Sequence, residues 1–154
     1  MNSKRILVTG ATGFLGSRLL ERLAEDKTVT VTATGRSLKP HNRIDAPNVR
    51  YVLGDLTVDS FVDGLVQDQD AIVHAAALSS PWGSKRAFWE SNVRPTELLV
   101  RAAETHGVER LVLISTPSMY FQMTSQWDLK EEDPLPKPIN QYAASKREAE
   151  RMVE

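Results

Sequence analysis

Residues 9–16 read Thr9-Gly10-Ala11-Thr12-Gly13-Phe14-Leu15-Gly16. They follow a short apolar run, Ile6-Leu7-Val8, which reads as a buried parallel strand. They lead into a stretch where Phe14, Leu15, Leu19, Leu20 and Leu23 recur at helical spacing, with Arg18, Glu21, Arg22 and Glu25 on the other face. A strand, a glycine turn and a helix in that order can cradle a phosphate. Gly10 allows a tight turn, Gly13 lets backbone approach a pyrophosphate, and Gly16 lets helix and strand pack closely. The helix start adds unpaired N–H groups and the positive end of its dipole. The spacing is G-x-x-G-x-x-G rather than G-x-G-x-x-G, and a glycine-rich turn without a ligand is the competing reading.

Outward from this turn, strands and helices alternate. Val29 to Ala33 is β-branched and predicts a second strand, Val49 to Leu53 a third, Ala71 to His74 a fourth and Leu111 to Ser115 a fifth. Between them lie a loop at His41 to Asn48 and a short helix at Val58 to Val66. A tight turn at Ala75-Ala76-Ala77 and a long helix from Arg86 to His106 follow. Gly107 closes that helix well, and Pro95 inside it predicts a kink or a late start. Met119 to Ile139 has no period and reads as a loop, before a last helix from Asn140 to Glu154 with Asn140 as N-cap. This order predicts an α/β fold, a Rossmann-type doubly wound parallel sheet with helices on both faces, occupying residues 1–154 as one domain.

The 154 residues suit a single domain, and 41% hydrophobic with 25% charged residues are globular values. A net charge of -1 argues against a nucleic-acid partner. No apolar run is long enough for a membrane span, and Met1 to Arg5 show no signal-peptide core, so a cytoplasmic protein is expected. With no cysteine and scattered His41, His74 and His106, no metal site is expected.

Several further motifs follow the turn in order. They are Gly54-Asp55-Leu56, His74-Ala75-Ala76-Ala77, Asn92-Val93 with Thr96, the run Leu113-Ile114-Ser115-Thr116-Pro117-Ser118-Met119-Tyr120, and Tyr142-Ala143-Ala144-Ser145-Lys146. Together with Thr9 to Gly16 they resemble the extended short-chain dehydrogenase/reductase family, which includes sugar-nucleotide epimerases, dehydratases, 3β-hydroxysteroid dehydrogenases and dihydroflavonol reductases. Pro95 stands where that family usually has Gly. The resemblance implies an NAD(P)-dependent oxidoreductase acting on a hydroxyl/carbonyl pair. The alternatives are a nucleotide-sugar epimerase or dehydratase, or a non-catalytic dinucleotide sensor. It implies cofactor contacts at Gly10, Thr12, Gly13, Phe14, Leu15, Gly16, Arg36, Ser37, Asp55, Leu56, Ala75, Ala76, Ala77, Asn92 and Ser115, and at Tyr142 and Lys146. Asp55 would meet the adenine amino group. A homodimer through two helices per subunit, one of them carrying Tyr142, is also implied.

Tyr142 and Lys146 are four apart on a predicted helix and share a face. A free phenol, with a pKa of about 10, is a poor base unless a cation stabilises the phenolate, and Lys146 supplies one. A surface Tyr–Lys pair is the competing reading. In the resemblance Tyr142 is the acid/base, Lys146 also holds the nicotinamide ribose, and Thr116 is the hydroxyl that orients the substrate oxygen. Ser118 is a substrate contact nearby, while Ser115 reads as a strand-end cap. The second strand runs out at Thr34-Gly35-Arg36-Ser37 with no acid to bind a ribose 2′-hydroxyl. Arg36 and Ser37 therefore favour NADP over NAD; a solvated Arg36, or one stacked on adenine, is the other possibility. Trp82 and Trp89 form either a substrate wall or packing, Ser79 to Gly83 leans to the reductase side, and Glu131-Glu132-Asp133 reads as a solvated loop. Family members continue well past the Tyr-Lys helix, whereas this chain stops at Glu154. The expectation is a truncated part without the last strands and the substrate lobe, with an exposed apolar sheet edge and poor turnover of its small-molecule substrate.

Overall fold

The computed structural model describes residues 3–154; Met1 and Asn2 of the N-terminal lead lie outside the described residues. Five strands, β1 (Lys4–Thr9), β2 (Val29–Thr34), β3 (Val49–Tyr51), β4 (Ala71–His74) and β5 (Arg110–Leu113), form one sheet in the order β3-β2-β1-β4-β5. Every pairing is parallel, so each return crosses over a face of the sheet. The expected Rossmann-type sheet is therefore present. The strand order reverses between β1, which carries the glycine turn, and β4, which carries the alanine turn, and ligands of such sheets bind at that point.

The helices are α1 (Phe14–Ala24), α2 (Asp59–Val66), α3 (Lys85–Phe88), α4 (Arg94–His106) and α5 (Gln141–Arg151). Leu7 and Ile72 face α2 and α4, packing with Val62, Leu65, Val66, Leu98 and Leu99. Val8, Val31 and Ala33 face the opposite side and bury Leu20 of α1. Alternation along each strand thus feeds two cores, which is why these strands read as nearly continuous apolar runs. Gly107 closes α4 in the left-handed conformation, φ 67°, and Asn140 caps α5 by accepting the Ala143 N–H at 2.8 Å; both were legible in the sequence.

The expected apolar face of α1 is corrected at its start. Phe14 is 86% exposed and Leu15 49%, so the buried stripe belongs to Leu19, Leu20 and Leu23. The late start expected at Pro95 is present: α4 begins at Arg94, with Pro95 in its first turn. Residues Trp89–Val93 form a π turn between α3 and α4, in which the Arg94 N–H reaches the Trp89 carbonyl five residues back. The wider turn accommodates a proline that has no N–H of its own to give and whose ring crowds the preceding turn. Smaller differences are at ends: β3 stops at Tyr51, β5 at Leu113 and α5 at Arg151, while short 3₁₀ turns occupy Pro40–Asn42 and Pro117–Tyr120.

Candidate active site

The glycine turn is built by contact with its neighbours. Gly10 has φ +65°, and a Cβ there would lie 2.6 Å from the Ala76 nitrogen and 2.7 Å from the Ala75 carbonyl carbon. The alanine turn after β4 therefore rests directly on Gly10. A Cβ on Gly16 would collide with the Gly10 carbonyl, so Gly16 serves the closure of the turn itself more than packing between helix and strand. Gly13 is different. Its φ is -90°, which any residue adopts, and a Cβ there would meet only the Gly10 carbonyl oxygen, at 3.3 Å. Backbone conformation does not call for glycine at 13, and packing within the chain does so only through that one close contact. The Phe14 and Leu15 side chains stand out to solvent beside it, at the start of α1.

A buried hydrogen-bond chain joins the two turns to the π turn. The Ala76 N–H donates to Thr9 Oγ1 at 3.2 Å, and Thr9 Oγ1 lies 2.6 Å from His74 Nδ1. His74 Nε2 lies 3.1 Å from Thr96 Oγ1, whose hydroxyl donates to the Asn92 carbonyl at 2.7 Å. These directions assign the neutral Nε2–H tautomer, with Nδ1 accepting from Thr9. Burial, with a smaller contribution from the Lys146 charge, pushes His74 down to about 3. His74 is thus a packing and bracing residue, as its sequence position suggested.

The Asn92 side chain continues the bracing. Its carbonyl accepts the Leu78 N–H at 2.6 Å, and its amide donates to the Leu78 carbonyl at 3.2 Å and to Ser145 Oγ at 2.9 Å. Ser145 in turn donates to the Tyr142 carbonyl at 2.8 Å. In this arrangement Asn92 ties the segment after β4 to the helix that carries Tyr142, and its amide is directed at protein.

Tyr142 packs its ring on Phe88, with centroids 6.2 Å apart and planes at 52°. Lys146 is buried and donates to the Ile114 carbonyl at 2.5 Å, just past β5. Burial holds its ammonium below the usual lysine range, so its positive charge is a poorly solvated one. Thr116 accepts the Ser118 N–H at 3.2 Å and donates to Ser118 Oγ at 3.0 Å, which caps the 3₁₀ turn. The cap expected of Ser115 is therefore made by Thr116. The Ser115 hydroxyl is buried and has no hydrogen-bond partner among the described residues.

Two clefts lie by the C-terminal ends of the strands. One, of about 490 Å³, is lined by Arg36, Asp55, Leu56 and Ala77, and also by Arg94 and Pro95, so the structure brings these candidate cofactor contacts together. Exposed Ser37 does not line it. Asp55 Oδ1 accepts from the Thr57 N–H and hydroxyl at 2.9 and 2.8 Å; with Arg36 nearby, these hold its carboxyl below the usual range. The second cleft, of about 780 Å³, runs beside β5 and is lined by Ser115, Thr116, Met119 and Tyr120. Neither cleft is lined by Tyr142 or Lys146. Arg94 and Pro95 were missed as cleft residues; the departure of Pro95 from the Asn-Val-x-Gly-Thr pattern was the available signal.

Sheet order and glycine turn define a Rossmann-type α/β domain. The sequence pattern described as the NAD dependent epimerase/dehydratase family matches residues 6–154, and the chain belongs to that family. It is 36% identical to a dTDP-glucose 4,6-dehydratase of Streptomyces niveus over 157 residues, covering 92% of this chain and 46% of the relative. It is 34% identical to a 2-alkyl-3-oxoalkanoate reductase of Shewanella oneidensis over 148 residues, covering 95% of this chain and 37% of the relative. The solved structure of the Bordetella bronchiseptica enzyme WbmH in complex with NAD+ superposes with a TM-score of 0.89 at 26% identity, over 99% of this chain and 52% of that one. The chain thus spans about half the length of the relatives it matches.

Proposed function

We propose that this chain is the nucleotide-binding and acid/base part of an NAD(P)-dependent oxidoreductase that moves hydride between nicotinamide and a hydroxyl/carbonyl substrate. Gly13 carries the reading. It sits at the start of α1, in an ordinary backbone conformation, and a Cβ there would meet a single atom of the chain, the Gly10 carbonyl oxygen at 3.3 Å, so the chain's own packing asks less for glycine here than at 10 or 16. A pyrophosphate on the helix N-terminus accounts for the glycine. The cleft with Arg36, Asp55 and Leu56 has the size and chemistry for an adenosine end.

When bound, the nicotinamide supplies or accepts the hydride. The chain's own groups handle the proton. The Tyr142 phenol donates to a carbonyl oxygen in reduction, and accepts from an alcohol in oxidation. The buried Lys146 ammonium favours the phenolate that donation leaves behind. The Thr116 hydroxyl, positioned by its own cap, orients the substrate oxygen. The glycine at 35 and the arginine at 36 support NADP as the preferred nucleotide.

Titration of the 154-residue chain with NADPH and NADH, read by energy transfer from tryptophan to nicotinamide, tests this. Binding of NADPH about tenfold more tightly than NADH is expected, a difference of about 1.4 kcal/mol. Failure to bind either nucleotide refutes the dinucleotide site, and equal or tighter NADH binding refutes the NADP preference.

A second reading rests on the dehydratase relative: the hydride is taken from a nucleotide sugar and returned to it. Net change at the nicotinamide absorbance band belongs to a reductase, and its absence under turnover to a dehydratase or epimerase. In either enzyme Tyr142→Phe loses turnover and keeps nucleotide affinity, which a non-catalytic sensor would not show.

A further inference from the structure

We propose that Thr12 determines nucleotide specificity indirectly, by denying position 35 any side chain; the inference rests on the nucleotide reading above. Gly35 follows β2, where a carboxylate would bind a ribose 2′-hydroxyl and select NAD. No left-handed backbone conformation requires glycine there. The reason is spatial. A Cβ on residue 35 would lie 2.6 Å from Thr12 Oγ1 and 3.0 Å from Thr12 Cγ2.

Neither partner can yield easily. The Thr34 carbonyl accepts the Ala11 N–H at 3.0 Å, and the Gly35 carbonyl accepts the Gly54 N–H at 3.1 Å, so residue 35 is held from both neighbouring segments. The turn bearing Thr12 is closed by the Gly13 N–H on the Gly10 carbonyl at 2.9 Å. Rotation of Thr12 relieves the contact only in part. Its Cβ carries two heavy atoms in three staggered positions, and two of those positions face residue 35. Every staggered rotamer therefore leaves at least one heavy atom in a facing position. Alanine at 12 empties both. Valine at 12 keeps both filled while removing the hydroxyl.

The glycine turn and the end of β2 thus form one specificity unit. With Thr12 in place residue 35 stays bare, and the ribose end is left to Arg36.

A cycle of variants tests this with two readouts. Without nucleotide, Gly35→Ala lowers the melting temperature by roughly 3–10 °C, the range for overpacking in a domain of this size. In a Thr12→Ala background most of that loss disappears, and in a Thr12→Val background it persists. With nucleotide, Gly35→Asp combined with Thr12→Ala binds NADH about tenfold more tightly than Gly35→Asp alone or Gly35→Asp with Thr12→Val. Equal melting losses in all three backgrounds overturn the steric coupling. A Gly35→Asp single variant that already takes up NADH as well as the double variant overturns the specificity role. If the unmodified chain binds no nucleotide, the proposed function falls, and the melting cycle still decides whether Thr12 controls position 35.

Discussion

The buried His74 makes acid stability a direct test of the hydrogen-bond chain. In the folded chain the imidazole is neutral, pushed down to about 3 by burial and by the Lys146 charge, against 6.5 for a free histidine. Between those values the unfolded chain binds a proton that the folded chain refuses. Stability from this group is therefore full above pH 6.5 and is lost as pH falls toward 3. Because pH 4.5 lies well above the folded value, the loss there is set almost entirely by the unfolded one. From pH 7 to 4.5 it comes to about 2.5 kcal/mol. The perturbation is His74→Gln, whose amide can also donate and accept but does not titrate. Asp26, Asp55, Asp59 and Asp70, all held below the usual carboxylate range by their hydrogen bonds, lose stability in acid too, but equally in both chains. Urea unfolding at pH 7 and 4.5 gives the difference between the two slopes. The unmodified chain should lose about 2.5 kcal/mol more than His74→Gln over that interval. Parallel losses would mean that His74 is not held neutral in the fold, and the assigned tautomer chain would be wrong.

Two other outcomes are expected. Gly10→Ala puts a Cβ 2.6 Å from the Ala76 nitrogen at a position with φ +65°, and should cost about 2–4 kcal/mol in urea unfolding, more than the same change at Gly13. Asn92→Ala leaves the Leu78 N–H without its 2.6 Å partner and frees Ser145, with an expected loss of about 1–3 kcal/mol in urea unfolding; Asn92→Asp, which turns a buried carboxylate oxygen toward the Leu78 carbonyl, should cost at least as much at pH 7.

What the sequence made legible was whatever is local. The β-branched runs, the helical spacing of Leu19, Leu20 and Leu23, and the caps at Gly107 and Asn140 each depend on neighbours within a few residues, and each is present in the structure. The parallel, doubly wound character of the sheet was accessible because strands that alternate with helices need crossovers; the order β3-β2-β1-β4-β5 comes from the structure. Partnerships across the chain were not legible. Nothing near Thr9 announces His74, sixty-five positions away, and nothing near Asn92 announces Ser145. Phe14 and Leu15 were misread because periodicity reports that a face is apolar, not what covers it. The strand before Ser115 was drawn too long because its residues keep a strand-like composition where Thr116 already begins to cap the next turn. The candidate catalytic groups stand out by motif order, while the groups that brace them lie far away along the chain and meet them only in the fold.

The π turn at Trp89–Val93 has a consequence for how this chain tolerates changes of length. It holds one more residue per turn than an α-helix needs, so loss of a single residue there would leave a continuous regular helix instead of a gap. Phase is what survives. The wider turn takes up its extra residue with little net rotation, so the segment from Ser84 to Phe88 would keep nearly the same face toward α4 and its neighbours. Phe88 would stay on the Tyr142 ring. In this stretch a one-residue deletion is absorbed, whereas the same deletion inside α4 would turn every residue before it by about 100°.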